Sequence, residues 1–412
     1  MSALRGRYSL MLNASRVTML LALLTSVTVA WAEEPVSPVP IIVARKGSVV
    51  SVDANGLRIL ADCRLTTDLR MLSGPERGKM VRSSEPCSFG PLAVHPPTGR
   101  WAAAVHVMGD ADAPPVRLVS VVVSGRELVV PTDKAGRAKS GTFLVLGDLN
   151  GIVAITPGVP DGWKENLRFF AQFPSLFTAD GSRVLVSAGD SNGSEWWSWS
   201  FGPRPESVQV LPRGQTDAAS NMVILGEPRT ALRHPRGGVR LATLDPTGRK
   251  PWKVGPSLPQ VRKGMLTPAV LGDTMLFYRS GDFDTDCEGA DAGTYRRFDL
   301  RTGQERVWRV HEGLCGTFDT FEAASPVRRT LYFREQRSVT AGVRLYEYDV
   351  DRDTTRELPV DSGSRVRDIS ADGRMLLVLN YSGLVLYDVV ENSSIQVKGL
   401  GEIDDAGLLA QP

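Results

Sequence analysis

The sequence predicts an all-β chain folded as a β-propeller of four-stranded blades, and three observations predict it. Short runs rich in Val, Leu, Phe, Tyr and Trp are separated by Gly, Pro, Asp and Asn clusters, the signature of strands and turns; examples are Arg117–Val123, Arg183–Ala188, Arg344–Asp349, Met375–Leu379 and Leu384–Asp388. Helical periodicity is almost absent, with only Gly162–Gln172 carrying a weak helical pattern. One phrase also recurs every roughly 40 to 55 residues, about the length of a propeller blade. It runs strand, Gly or Asp-Gly turn, apolar strand, polar loop, then a strand ending in Asp.

In chain order, the first element is an export signal. Arg5, Arg7 and Arg16 precede the apolar stretch Thr18–Ala30, and Ala30-Trp31-Ala32 offers the small-x-small site of a signal peptidase. The apolar run is shorter than the roughly 18 to 20 residues of a spanning helix. The spacing therefore predicts cleavage after Ala32, a chain that is periplasmic or secreted, and no stable membrane insertion of the mature body. Residues 33–40 (EEPVSPVP) read as a Pro-rich linker. A single propeller is predicted over 41–402 and a short polar tail over 403–412. Residues 41–60 are expected to pack beside the blade of 365–400, because a ring must join its ends or expose strand edges.

The clearest repeats are Phe177–Ser187 (FTADGSRVLVS) and Ile369–Leu379 (ISADGRMLLVL). Weaker copies have turns near 98, 228, 272 and 327, and Asp148–Ile155 fills the one double gap. Counted from Asp53–Gly56, the turns predict seven blades, with eight and then six as alternatives. A β-sandwich pair would show no such period. The two clear phrases resemble the repeat of TolB-type bacterial β-propellers, with Ala179 and Ala371 where that pattern has Pro. Asp245–Trp252 and Asp299–Trp308 resemble repeats of quinoprotein-like propellers, in which the Trp packs between blades. The resemblance implies an extracytoplasmic propeller acting through a protein partner or a cell-envelope component. It implies no particular activity, since propellers host enzymes and scaffolds alike.

Charge narrows the classes. The chain carries 48 Lys and Arg against 46 Asp and Glu, and the three cations of the first 32 residues leave a body near neutrality. Phosphate-backbone binding needs clustered excess cations, so nucleic acid is excluded as a partner. Four cysteines behind an export signal predict disulfides, and proximity pairs Cys63 with Cys87 and Cys287 with Cys315.

Few residues present chemistry. Asp282, Asp284, Asp286 and Glu288 alternate in an acidic loop, a spacing that can converge on Ca2+. Cys287 at the turn position and Gly293 at the bidentate position favour a solvated acidic loop instead. Asp349, Asp351, Asp353 and Glu357 alternate similarly and read as a turn. Gly189–Gly193 matches G-x-S-x-G, but a strand-like segment follows where a nucleophile elbow needs a helix. Trp197, Trp199 and Phe201 share one strand face and read as inter-blade core rather than a stacking platform. These readings favour a non-enzymatic scaffold for proteins or ligands, with no catalytic or cofactor-binding residue assigned. The alternative is a propeller enzyme of lactonase, lyase or dehydrogenase type with a site at the axial channel.

Overall fold

The computed structural model describes residues 37–70, 79–107, 116–130, 141–157, 176–190, 193–216, 222–226, 229–233, 239–243, 245, 253–257, 269–271, 275–280, 294–310, 320–336 and 342–409. Among them there is no helix, and the strands form six four-stranded sheets and one seven-stranded sheet. The pairing is antiparallel and usually follows chain order, as in Arg365–Ile369, Met375–Asn380, Gly383–Asp388 and Ser393–Val397. This is a β-propeller. The helical pattern at 162–172 lies outside the described residues.

The recurring phrase has a local physical cause. Thr178 Oγ1 donates to Asp180 Oδ1 at 2.7 Å and accepts from the Arg183 amide, while the Asp180 carboxylate also takes the Ser182 amide at 2.9 Å. Ser370, Asp372, Arg374 and Met375 repeat that network. Gly181 and Gly373 stand at φ +65° and +73°, where a Cβ is strained. The strand-terminal Asp is an Asx turn: Asp388 Oδ1 accepts the Val390 and Glu391 amides, and Asp349 and Asp299 do the same in their own sheets.

Neighbouring sheets bury both faces, as strand alternation requires. Ile41, Val43, Val50 and Val52 face Leu377, Leu384, Leu386 and Val397. Ile42, Ala44 and Val49 share a core with Leu92, Trp101 and Val105. Residues 41–60 thus reach the last sheet as the ring argument requires.

The closing strand comes from where a tail is expected. Ile403–Leu408 is a strand, antiparallel to Ile41–Arg45, with Ile41 opposite Leu408 and Val43 opposite Ala406. Ala406 and Leu408 are buried. The segment 403–412 is therefore not a polar tail over its described length: its two acids accept backbone amides, and Asp405 does so from a buried position. The linker reading is likewise corrected for its second half. Val39 is buried in the closing core, the Ser37 amide bonds Asp53 O, and the Leu409 amide bonds Pro40 O.

Candidate functional site

Among the described residues one terminal strand of each sheet, such as Arg365–Ile369, is paired on one side only, so the amides of its other edge need acceptors from outside the ladder. At the closure these acceptors are carboxylates. Asp368, on Arg365–Ile369, accepts the Leu408 amide at 2.8 Å. Asp404 and Asp405 in turn accept the Phe89 amide at 3.2 Å and the Leu92 amide at 2.8 Å. The last sheet thus holds the closing strand, and the closing strand holds the strand Phe89–His95. Register shifts at Val366/Asp368 and Phe89/Leu92 mark bulges, which free the backbone groups involved.

Electrostatics at this seam follows burial. Loss of water pushes Asp368 up to about 6, helped by neighbouring Asp405, although the Leu408 and Ile369 amides oppose the shift. Burial also raises Asp405, against the Arg367 guanidinium at 3.3 Å, and raises Asp404. On the neighbouring sheet Arg334 pairs with Glu322 at 2.6 Å in a buried ion pair. A carboxyl near 6 falls in the range useful for general acid or base work. Yet the Asp368 oxygens already hold the Ile369 and Leu408 amides. The arrangement fastens strands.

A second feature stands outside the blades. Gly56–Arg70 runs for 15 residues, and only its first part pairs in the closing sheet with Ser48–Asp53. Its second part pairs with Met80–Pro86 on one side and with the hairpin Val116–Val123/Arg126–Val130 on the other. That hairpin is inserted between Arg100–Val107 and Gly141–Asp148, the middle strands of the next sheet. The result is an appended sheet. Its outer strand has no second partner among the described residues, and residues 81–86 are exposed. Cys63 and Cys87 are bridged at its root, Cα atoms 5.4 Å apart, and the Gly47 and Cys63 backbones knit the same junction.

The other sequence candidates divide. Asp282, Asp284, Asp286, Glu288, Cys287 and Cys315 lie outside the described residues, as do the signal site at Ala32 and Ser191. Among the described residues no group of three or more His, Cys, Asp or Glu could hold a metal ion. Asp190 pairs with Gly193, so the G-x-S-x-G segment joins two strands and lacks the helix an elbow requires. Asp349, Asp351 and Asp353 serve their turn, Arg329 and Tyr348 in that order, and do not converge. Trp197, Trp199 and Phe201 pack with Val184, Val186, Ala102 and Leu144 between sheets. Trp308 stacks on Tyr348 at 4.0 Å. Sequence reasoning missed Asp368, Asp404, Asp405 and the appended sheet; two adjacent acids inside the apolar terminal segment were the available signal.

No protein-family model and no curated protein sequence matches the chain. Solved structures similar to it include TolB from Acinetobacter baumannii, 10% identical, covering 75% of this chain and 83% of that one, with a TM-score of 0.41. A putative 6-phosphogluconolactonase from Bacteroides uniformis is 10% identical over 84% of this chain and 98% of that one, TM-score 0.42. The dihydro-heme d1 dehydrogenase NirN is 13% identical over 91% and 76%, TM-score 0.44. The neighbours thus include enzymes and TolB alike. At these TM-scores none of the likenesses carries an argument about function, and the propeller rests on the strand pairing itself.

Proposed function

We propose that this chain is an exported seven-bladed propeller that works as a protein-interaction scaffold without turnover of its own. The observation that carries the reading is the appended sheet, an insertion the ring does not need, which presents an exposed strand whose outer edge is unpaired among the described residues. An open edge is a template for strand addition by a partner. Arg82 and Glu85 on that strand disfavour pairing with a second copy. Seven blades are supported by the contacts of the inner strands. Ile403–Leu408 meets Phe89–His95, which meets Leu176–Phe177. A second run of contacts joins Met222–Gly226, Ala269–Leu271, Thr320–Ser325, Arg365–Ile369 and Ile403–Leu408, each to the next. Export to the periplasm or beyond is supported by the signal-like N-terminus and the Cys63–Cys87 bridge.

Site-specific photocrosslinking in cells tests the reading. A crosslinker at Val81 or Val129, on the appended sheet, should give a discrete adduct that Ile395, whose exposure lies between theirs, does not. Equal patterns at all three positions would sink it. So would turnover of an ester, lactone or glycoside that a single polar substitution abolishes.

A further inference from the structure

Between the sheet spanning Thr320–Glu357 and the sheet spanning Arg365–Val397, the seam opens into a cleft of about 670 Å3. That is within the usual range for a small-molecule site. Its lining carries Glu347, Asp349 and Asp351 facing Arg328, Arg352 and Arg356, beside Val389 and Val390. The acids are already committed. Glu347 accepts from Arg356 Nε and, at 3.1 Å, from the Tyr332 hydroxyl. Asp349 Oδ1 accepts the Asp351 and Arg352 amides, and both oxygens of Asp351 hold Arg329 Nε.

The cations are committed unequally. Arg356 also donates to Val389 O at 2.9 Å. Arg328, by contrast, approaches Glu347 only at 4.0 Å, and its buried Nε has no hydrogen-bond partner among the described residues. Burial of that one N–H is uncompensated, while the rest of the side chain stays part-exposed at 29%. Arg352 touches Asp349 at 3.3 Å through a side chain that is 82% exposed. The acids of the cleft are thus engaged by amides, a tyrosine hydroxyl and arginines, whereas the Arg328 and Arg352 side chains line it with only one long ion-pair contact each.

We propose that this cleft binds a small organic oxyanion, a carboxylate or a phosphate monoester, on Arg328 and Arg352, with Val389 and Val390 as its apolar wall. The planar fork of a guanidinium matches both oxyanions. The site lies at the seam between two sheets and is separate from the appended sheet.

Calorimetric titration of the full chain with D-gluconate, glucose 6-phosphate and neutral glucose tests this. At least one anion should bind with Kd below about 1 mM, weaken with added salt, and glucose should not bind. Gluconate alone would identify the carboxylate source, and glucose 6-phosphate alone the phosphate source. Arg328→Gln and Arg352→Gln should each weaken binding about tenfold, the loss of one charge-assisted contact. Arg344→Gln, outside the cleft, should not. Arg352 is so exposed that its variant folds even if the Arg328 variant does not. Binding of glucose as tight as that of the anions would overturn the proposal. So would anion binding undiminished in Arg352→Gln, or no binding of either anion at about 10 mM.

Discussion

Replacing Gly373 with Ala measures how tightly one blade is seated on the next. Gly373 closes the Ala-Asp-Gly turn at φ +73°, and an added Cβ would overlap Ser325 Oγ and lie 2.9 Å from Arg328 Cγ and Cδ of the preceding sheet. Two costs add. Left-handed backbone strains an L-residue by about 1 kcal/mol. Overlap with packed neighbours adds about 1 to 3 kcal/mol, because Ser325 is buried and cannot retreat freely. Gly125 separates the two, since it stands at φ +80° with nothing within 4 Å of its Cβ position. Urea unfolding should therefore show Gly125→Ala losing about 1 kcal/mol and Gly373→Ala about 3. Gly181→Ala, whose Cβ would meet the His95 ring, should behave like Gly373→Ala. Adding Ser325→Ala should recover part of the Gly373→Ala loss. Equal losses at Gly125 and Gly373 would refute the reasoning and reduce the turn to a local conformational requirement.

Three further outcomes are expected. Deleting residues 403–412 should cost about 5 kcal/mol by chemical unfolding: the lost burial of Ala406, Leu408 and Leu409 is worth roughly that much, and the lost ladder bonds are offset by regained chain entropy. Asp368 binds its proton more tightly folded than unfolded, so wild-type stability should fall as pH rises from about 4 to 6, by at most about 3 kcal/mol from this group; Asp368→Asn should flatten that limb in a melting series against pH. Non-reducing peptide mapping of exported protein should join Cys63 to Cys87 and Cys287 to Cys315; a peptide joining an early to a late cysteine would overturn both pairings.

What the sequence disclosed was what is local. The Thr178–Arg183 and Ser370–Met375 turns are built from side chains within five residues of the amides they bind, so their phrase is visible in the sequence itself. Asp349 and Asp388 are legible for the same reason. The Cys63–Cys87 pairing is legible because the two are 24 residues apart. The closing strand was hidden because Asp404 and Asp405 look like solvent-facing residues, and only the distant Phe89 and Leu92 amides give them a buried purpose. The appended sheet was hidden because Arg117–Val123 has the pattern of any strand. Its partner is chosen by pairing with Thr66 and its neighbours some fifty residues earlier, which no local period encodes.

The central claim is that carboxylates of the closing seam fasten a ring closed by the strand Ile403–Leu408. Residue-resolved hydrogen exchange on the amides of Phe89, Leu92 and Leu408 tests it most directly. If Asp404, Asp405 and Asp368 hold them, all three exchange only through global unfolding, with the free energy of the ladder amides in Met375–Asn380. Exchange of these amides at the rate of open peptide, while Met375–Asn380 stays protected, would contradict it.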